Sequence, residues 1–190
     1  AVVGGCGAGQ SPLVGSPTCR NAAYSGSVTS GGTDALEISR ESLMRSRVTV
    51  SFSSYLFKGS VKSNLLMGKP TASDDELWHA LDRCRLGDFV RAAGGLDMPL
   101  AEQAANLSGG QRQRLAMARA LLHDADIYVF DEATSNIDAE SEAALIETIG
   151  ELARTKTVIM ISHRLAAIKG ADRIYAMADG RIAEAGTHDE

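Results

Sequence analysis

The sequence lacks the features of a membrane-spanning or disulfide-stabilised chain. No stretch approaches the roughly 18 consecutive apolar residues that a membrane span requires. The longest strongly apolar runs, 127–130 and 158–161, have the length of a strand. Cysteine is scarce, and Cys6, Cys19 and Cys84 form no CxxC pair. Their odd number and scattered positions favour reduced thiols over a disulfide or metal framework.

Basic charge is also in short supply. Lys and Arg total 19 against 24 Asp and Glu, which gives a net charge of −5. This balance argues against a protein whose main role is to coat nucleic acid, and no nucleic-acid partner is predicted. Apolar residues make up 44% of the 190 positions, enough for a sizeable core. Intrinsic disorder is therefore not expected as the main state of the chain.

The apolar segments alternate with segments of helical periodicity, which predicts an α/β class. Strands are predicted near 1–3, 27–30, 47–51, 127–130, 157–161 and 173–177, and helices near 74–84, 109–122, 139–153 and 164–169. The segments 127–130 and 157–161 are apolar without alternation, as in parallel strands that are buried on both faces. Asp179-Gly180 predicts a hairpin turn.

The ends of the sequence are abrupt. Ala1-Val2-Val3 has the character of a buried strand, and 187–190 resembles the start of a helix, with Thr187 as cap and Glu190 at the capping-box position. The sequence is therefore expected to be a fragment of a longer protein.

A glycine-rich segment follows the first predicted strand, with the sequence Gly4-Gly5-Cys6-Gly7-Ala8-Gly9-Gln10-Ser11. Three of these residues, Gly4, Gly9 and Ser11, fit the phosphate-loop pattern G-x-x-x-x-G-K-[ST]. In that pattern, glycines let backbone N–H groups surround phosphate oxygens, and the hydroxyl binds Mg²⁺. Gln10 stands in place of the lysine. The segment predicts either an altered phosphate loop or an ordinary glycine-rich turn.

A second motif, Leu107-Ser108-Gly109-Gly110-Gln111, opens a predicted helix. Ser108 and the two glycines can present a hydroxyl and backbone donors at the helix N-terminus, where anions bind. A plain helix cap would explain Ser108 but not the glycine pair. The motif therefore favours an anion-binding role.

Polar side chains end two of the predicted central strands. Asp131 and Glu132 follow the strand at 127–130, and His163 follows the strand at 157–161. Ligands of α/β sheets bind at the carboxyl ends of strands. There one carboxylate can hold Mg²⁺, the next can act as a general base on water, and an imidazole can contact a phosphate. Taken alone, the acids slightly favour a solvated strand end and His163 a structural residue, but beside a phosphate loop the acids favour the catalytic interpretation.

In this order along the chain, the motifs resemble those of the ATP-binding cassette (ABC) ATPases. Residues 107–111 are similar to the family's signature motif, 4–11 to its Walker A loop, 127–132 to its Walker B strand and 135–138 to its D-loop. The resemblance covers essentially the whole chain. The segment 55–61 and Asn64 resemble the region after the Q-loop in exporter-type members, and Glu102 lies where those members have an X-loop glutamate.

The resemblance implies an α/β P-loop NTPase (RecA-like) core with a mainly parallel sheet and an inserted α-helical subdomain that carries the signature motif. The core would comprise residues 1–52 and 123–190, and the helical subdomain residues 53–122. The implied cofactors are ATP and Mg²⁺. The implied function is that of an ATP-binding and ATP-hydrolysing subunit of an exporter-type ABC transporter.

The resemblance also implies roles for individual residues. Those that would bind the chain's own ATP are Gly4, Gly5, Cys6, Gly7, Ala8, Gly9, Gln10, Ser11 and Pro12. Those that would bind a partner's ATP are Leu107, Ser108, Gly109, Gly110 and Gln111. The D-loop would be Ser135, Asn136, Ile137 and Asp138. Ser11 and Asp131 would hold Mg²⁺, Glu132 would be the catalytic base, and His163 would contact the γ-phosphate.

The partners implied by the resemblance are a second ABC ATPase domain and a transmembrane domain. The two ATPase domains, identical or different, would form a head-to-tail dimer with ATP at the interface. The transmembrane domain would be contacted through Tyr55, Phe57 and Glu102. It would attach the chain to the cytoplasmic face of a membrane, and its own residues would determine the transported substrate.

Two departures from the family pattern leave alternatives open. Gln10 brings no charge to the Walker A lysine position, and Phe52, at the Q-loop glutamine position, cannot bind Mg²⁺ or orient water. The chain could then be a catalytically impaired half-site of a heterodimeric transporter that mainly donates its signature motif. A nucleotide-insensitive regulatory module is a further alternative. Glu132 and His163, which match the family pattern, favour an active site.

Overall fold

The computed structural model describes residues 1–5, 8–10, 25–135 and 137–190, and for Leu165 only the backbone. The predicted site residues that lie outside these ranges are Cys6, Gly7, Ser11, Pro12 and Asn136.

Strands and helices alternate along the described chain. The strands are β1 (Val2–Gly4), β2 (Thr29–Ser30), β3 (Thr33–Asp34), β4 (Arg47–Ser51), β5 (Gly59–Ser60), β6 (Pro99–Leu100), β7 (Ile127–Asp131), β8 (Thr157–Ile161), β9 (Ile174–Ala178) and β10 (Arg181–Gly186). The helices are α1 (Arg40–Ser46), α2 (Val61–Leu66), α3 (Asp74–Arg83), α4 (Gly87–Ala92), α5 (Gly109–His123), α6 (Ala139–Ala153) and α7 (Leu165–Ile168). Two short 3₁₀ helices span Gly95–Asp97 and Glu102–Ala104.

Six of the described strands form one sheet in the order β10-β9-β1-β8-β7-β4. The pairs β1–β8, β1–β9 and β7–β8 are parallel, whereas β10 returns antiparallel to β9. In the parallel register, Ile161 at the end of β8 lies opposite both Val2 in β1 and Asp131 in β7. The carboxyl ends of β1, β7 and β8 therefore meet at one edge of the sheet.

The predicted burial on both faces is confirmed for β7, whereas in β8 only Met160 and Ile161 are buried and the first three residues are half-buried or exposed. In β7, Tyr128, Val129 and Phe130 are each at most 1% exposed although they alternate between the two faces of the sheet. This burial on both faces is the pattern of a parallel strand that is covered on each side. The predicted hairpin is also confirmed, because Asp179 and Gly180 join β9 to β10 and both have positive φ, as type I′ turns require.

The described chain separates into two compact units. The sheet unit comprises residues 1–49, 125–132 and 156–190, and the helical unit comprises 50–124 and 133–155. In the sheet unit, a cluster of buried apolar side chains joins the central strands to the loop after β1: Val2, Ala8, Val129, Ile161 and Met177. In the helical unit, α5 packs against α2 and α3. The largest fully buried residues of this unit include Leu65, Leu77, Leu81, Leu115 and Met117.

Capping boxes begin two helices of the helical unit where the sequence predicted helix starts. Ser73 accepts a hydrogen bond from the Glu76 backbone N–H, and the Glu76 side chain accepts one from the Ser73 backbone N–H. Ser108 and Gln111 make the same reciprocal pair at the start of α5. Each box satisfies two backbone donors that a helix N-terminus otherwise leaves without partners.

Residues 133–155 fall in a different unit from the one predicted for them. The predicted core included all of 123–190, but α6 groups with the helical unit. Thr148 in α6 donates to the Arg83 carbonyl oxygen at 2.9 Å, and Arg85 pairs with Glu147. These contacts join α6 to the end of α3. The domain boundaries derived from the resemblance remain a prediction.

No helix among the described residues is long and apolar enough to cross a membrane.

Candidate functional site

The glycine loop continues directly from the carboxyl end of β1. A side chain at position 4 has no room, because a Cβ there would lie 2.6 Å from the Met177 carbonyl oxygen of the neighbouring strand. Gly9 has a φ of +95°, in the region that favours glycine. Ala8 is buried between them in the strand cluster. Close strand packing and a left-handed turn thus account for Gly4 and Gly9.

Gln10 is folded inward against the loop and is only 6% exposed. Its Nε2 lies 3.5 Å from the Gly5 carbonyl oxygen, at the outer limit of a hydrogen bond. A Cβ on Gly4 would lie 2.9 Å from the same nitrogen. The Gln10 amide therefore contacts the backbone of the loop itself.

The Asp131-Glu132 pair ends β7 at the same edge of the sheet as the glycine loop. Asp131 is the last residue of β7, opposite Ile161, and the Glu132 N–H donates to the Ile161 carbonyl oxygen at 3.1 Å. Glu132 has a φ of +51°, which is uncommon for a residue other than glycine. Such strained backbone concentrates at functional sites, where surrounding contacts hold it in place.

Glu132 and His163 form a hydrogen-bonded pair in the sheet unit. Nε2 of His163 lies 2.8 Å from Glu132 Oε1, and Nδ1 lies 3.0 Å from the Gly4 carbonyl oxygen. The side chains are 35% and 45% exposed, for Glu132 and His163 respectively, so water reaches both. His163 therefore contacts both the other predicted catalytic residue, Glu132, and the first glycine of the loop.

His163 joins the two strand ends through both of its ring nitrogens. A carbonyl oxygen only accepts, so Nδ1 of His163 is the donor in its contact with Gly4. Nε2 of His163 faces the carboxyl group of Glu132. An imidazole beside a carboxyl group is a pair of residue types that general acid–base chemistry uses.

The Leu107–Gln111 motif forms the first turn of α5 in the helical unit. Leu107 is 5% exposed and anchors the turn, whereas the Ser108 side chain is exposed at the N-cap. The Ser108 hydroxyl accepts from the Gln111 N–H at 3.2 Å, and Gln111 Oε1 accepts from the Ser108 N–H at 2.9 Å. The backbone donors of Gly109 and Gly110 lie in the same turn. An anion at this helix end would meet N–H groups and the positive end of the helix dipole.

The segment after Glu132 leads into α6. Ser135 and Ile137 are half-buried, and Asp138 is the exposed N-cap of α6. Asp138 Oδ1 accepts from the Ser141 N–H at 2.9 Å. Hydrogen bonds from the Ser141 backbone and hydroxyl lower the pKa of Asp138. The Asp138 side chain therefore caps α6 and is at the same time exposed at the surface.

The residues predicted to contact a membrane domain lie together in the helical unit. The Tyr55 hydroxyl donates to Glu102, and this hydrogen bond raises the pKa of Tyr55. The Tyr55 and Phe57 rings meet edge to face with centroids 4.8 Å apart, and both are exposed. Phe52 is 59% exposed. A cleft of 460 Å³ is lined by Phe52, Tyr55, Glu102, Gln103, Arg112 and Ser135, among others.

Sequence reasoning missed two residues that support these sites. Arg119 of α5 donates to the Tyr55 carbonyl oxygen at 2.9 Å, and burial lowers the pKa of its guanidinium. Ser141 packs against Gly110 and is only 3% exposed. Neither residue belongs to a motif. Their partners are 64 and 31 positions away along the chain, so local periodicity carried no signal for them.

The described residues offer one clear candidate ligand for Mg²⁺ at the strand edge. No group of three or more His, Cys, Asp and Glu side chains suited to a metal occurs in the described ranges. Asp131 ends a strand beside the glycine loop, as described above. Mg²⁺ usually takes one or two carboxylates and completes its shell with phosphate oxygens and water. Asp131 thus fits a magnesium ion that arrives with a nucleotide.

Comparison with known proteins finds similar sequences among ABC transporters. A family model described as "ABC transporter" matches residues 1–135. An uncharacterised ABC transporter ATP-binding protein of Haemophilus influenzae is 48% identical over 188 residues, which cover 99% of this chain and 34% of that protein. The β-(1→2)glucan export ATP-binding/permease protein NdvA of Rhizobium johnstonii is 38% identical over 191 residues, covering 100% of this chain and 32% of that protein.

A solved structure agrees with these relatives. A bacterial Atm1-family ABC exporter with ATP bound superimposes with a TM-score of 0.92 and 32% identity, covering 99% of this chain and 33% of that chain. The match confirms the predicted α/β P-loop fold with its mainly parallel sheet and helical insertion. The chain spans about a third of the length of the relatives that it matches.

Proposed function

The chain belongs to the ABC transporter family, and on that premise we propose that it binds and hydrolyses ATP as the nucleotide-binding domain of an exporter. The observation that carries this proposal is the contact between Glu132 and His163 beside Gly4, at the edge of the sheet where the glycine loop begins. Relatives at 38% identity include a named glucan exporter and a named lipid A-core flippase of Neisseria meningitidis. These names favour an export function for this chain.

Hydrolysis needs a base for the attacking water and a group beside the terminal phosphate. Glu132 is suited to the first role, because a water-accessible carboxylate can accept the proton of an attacking water. His163 is suited to the second, and its contact with Glu132 keeps both groups at the loop. A positioned general base typically contributes about 10²–10⁴-fold to a rate. The remaining acceleration would come from charge stabilisation around the phosphates.

The nucleotide would be held by the loop after β1. Gly4, Gly5, Ala8, Gly9 and Gln10, with the adjoining residues 6, 7, 11 and 12, would surround its phosphates. Asp131 and Ser11 would hold Mg²⁺, which neutralises phosphate charge when bound. The first turn of α5, with Ser108 exposed at its N-cap, supports a second anion contact, directed at the ATP of a partner domain in a head-to-tail dimer.

Coupling to a membrane domain is proposed for the cleft described above. Tyr55, Phe57 and Glu102 present an exposed aromatic pair beside a carboxylate, a surface suited to a short amphipathic segment. A membrane domain that docks there would hold the chain at the cytoplasmic face of the membrane. It would also supply the substrate specificity of the transporter.

Two observations favour an impaired site as the second candidate function. Gln10 is buried against the loop backbone, as described above, and Phe52 presents an exposed ring at the Q-loop position. Losing a hydrogen bond to a charged phosphate removes about 1.5–3 kcal/mol. That loss weakens ATP binding by roughly ten- to a hundredfold. The chain would then contribute mainly its signature residues to a partner's site.

Calorimetric titration with MgATP, on the chain and on Gln10→Lys, separates these candidates. If the site is impaired at position 10, the variant should bind about ten- to a hundredfold more tightly than the parent. Gln103→Lys is the matched control, because it adds the same charge at an exposed position of the helical unit. Equal binding by parent and variant would show that the loop suffices without lysine.

Turnover then tests the catalytic assignment. Glu132→Gln in the Gln10→Lys background should keep MgATP binding and lower the hydrolysis rate by about 10²–10⁴-fold. Hydrolysis that survives this substitution would contradict the role of Glu132. Failure of every variant to bind MgATP, with folding intact by circular dichroism, would contradict the proposal as a whole.

A further inference from the structure

The N-termini of α5 and α6 meet through a glycine. A Cβ built on Gly110, in the first turn of α5, would lie 2.5 Å from Ser141 Oγ and 2.9 Å from Ser141 Cβ. It would also lie 3.1 Å from Asp138 Oδ2. Contacts under 3.0 Å are sterically forbidden, so the two helix ends approach as closely as they do only because residue 110 has no side chain.

Ser141 is buried at this junction and is hydrogen-bonded to Asp138. It is 3% exposed, although it lies in the first turn of a helix whose N-cap is at the surface. Its backbone N–H donates to Asp138 Oδ1 at 2.9 Å, and the Glu142 N–H donates to the Asp138 carbonyl oxygen at 2.9 Å. Asp138 is thus held by the turn that Gly110 contacts, and a shift of Ser141 must move Asp138 as well.

Further contacts keep α6 from tilting away from α5. Thr148 and Glu147 of α6 bind the Arg83–Arg85 segment at the end of α3. Arg114 of α5 donates to the carbonyl oxygen of Arg85 at 3.0 Å. The far side of the junction is therefore fixed, so added volume between Gly110 and Ser141 cannot be relieved by a rigid tilt of α6 alone.

We propose that Ser141, through its contact with Gly110, is a positioning residue that fixes Asp138 relative to the first turn of the signature helix. The inference rests on the proposed function for its catalytic consequence, because 108–111 and Asp138 are there assigned to the interface with a partner. One chain would thus present both interface elements in a fixed relation, and Ser141 would set that relation without touching nucleotide.

A double-mutant cycle tests the contact directly. Gly110→Ala introduces the forbidden methyl, and Ser141→Gly removes the two atoms that it would meet below 3.0 Å. The double variant therefore relieves both of these contacts. Gly150→Ala is the matched control, because it adds a methyl to α6 where no atom lies within 4 Å. Interactions of this kind appear as a departure from additivity in the cycle.

The first readout is amide hydrogen exchange at Ser141 and Glu142 in the nucleotide-free chain. Overpacking of the junction should accelerate exchange at these amides by about tenfold or more in Gly110→Ala. The double variant should return to the rate of Ser141→Gly alone, and Gly150→Ala should match the parent. If the effects of Gly110→Ala and Ser141→Gly simply multiply, the contact does not position Asp138.

The second readout is MgATP turnover of the same variants in the Gln10→Lys background. We expect a loss of about tenfold in kcat for Gly110→Ala and recovery to the Ser141→Gly value in the double variant. Recovery of exchange protection without recovery of kcat would overturn the catalytic part of the inference. If the Gln10→Lys chain itself neither binds nor hydrolyses ATP, the proposed function fails, and the exchange data still decide the positioning claim.

If circular dichroism shows that Gly110→Ala does not fold, Ser141→Thr takes its place in the experiment. Threonine keeps the hydroxyl and adds a single methyl beside Gly110. The expected result is faster exchange at residues 141 and 142 by about threefold to tenfold with the global unfolding midpoint retained. Unchanged exchange in Ser141→Thr would show that the junction has spare volume, which contradicts the proposal.

Discussion

Replacing Asn64 should destabilise the helical unit far more than replacing an exposed asparagine that makes similar bonds. Asn64 is 0% exposed in α2. Its Oδ1 accepts from the Phe57 N–H at 2.8 Å, and its Nδ2 donates to the carbonyl oxygens of Phe57 at 2.8 Å and Ser60 at 3.0 Å. The Asn64 side chain thus binds both the N–H and the carbonyl oxygen of Phe57 and closes the turn before α2.

The cost of Asn64→Ala follows from which groups lose their partners. The Ser60 carbonyl oxygen keeps a second donor, because the Ser63 hydroxyl lies 2.9 Å away. The Phe57 N–H and C=O lose the side-chain partner that satisfied them. At about 1–3 kcal/mol for each buried group left unsatisfied, and with partial access of water, the free energy of unfolding should fall by about 2–4 kcal/mol.

Urea unfolding followed by the fluorescence of Trp78 measures this loss, since Trp78 is the single tryptophan and lies in α3 of the same unit. Asn106→Ala is the matched control. Asn106 also binds backbone on both sides, the Ala101 N–H at 2.9 Å and the Pro99 carbonyl oxygen at 3.0 Å, but it is exposed. Water can replace its bonds, so its loss should stay within about 1 kcal/mol. Equal losses for the two variants would refute the reasoning.

Two further predictions concern titratable groups. Burial raises the pKa of the Cys84 thiol to about 12 from an ordinary 9.0, so the thiolate fraction at neutral pH falls about a thousandfold. Alkylation of the folded chain, mapped by peptide mass spectrometry, should leave Cys84 unmodified until urea unfolds the chain. Rapid labelling of Cys84 in the folded state would contradict its burial. The pKa of Asp138 is lowered by the backbone and hydroxyl of Ser141, so its contribution to stability is present above the ordinary carboxyl pKa and is lost as the pH falls through the folded value. The difference in unfolding free energy between the chain and Asp138→Asn should therefore shrink from about pH 6 to about pH 3, and a difference independent of pH would contradict the capping bond.

Local sequence was sufficient for most of the secondary structure, because the signals for it are local. Helices α3 and α5 begin at Asp74 and Gly109, where the sequence predicted helices near 74–84 and 109–122. The strands β7 and β8 followed from apolar runs too short for helices and without alternation. The edge that they share was equally predictable, because parallel strands bring their carboxyl ends together. Glu132 and His163 therefore lie close together because they follow neighbouring parallel strands.

Tertiary packing decided what the sequence did not predict. Glu132 has a positive φ, and its N–H donates to the carbonyl oxygen of Ile161, a residue of the neighbouring strand that is 29 positions away along the chain. The grouping of α6 with the helical unit depends on Thr148 and Glu147, which have partners more than 60 positions away. Periodicity identified α6 as amphipathic, but an apolar stripe does not specify which unit covers it.

The departure at Gln10 concerns binding, whereas Glu132 and His163, the groups proposed for chemistry, fit the family pattern. A charge on the phosphate loop stabilises the bound ground state and the transition state alike, so its loss raises the concentration of ATP required more than it slows a bound molecule. Glu132 acts on the attacking water, whose proton moves only in the transition state. An intact Glu132–His163 pair beside a weakened loop is therefore consistent with a site that turns over slowly at low ATP and is restored by one added charge. A regulatory module without hydrolysis would have no need for a carboxylate held in left-handed backbone beside an imidazole, and for that reason we place it behind the catalytic proposal.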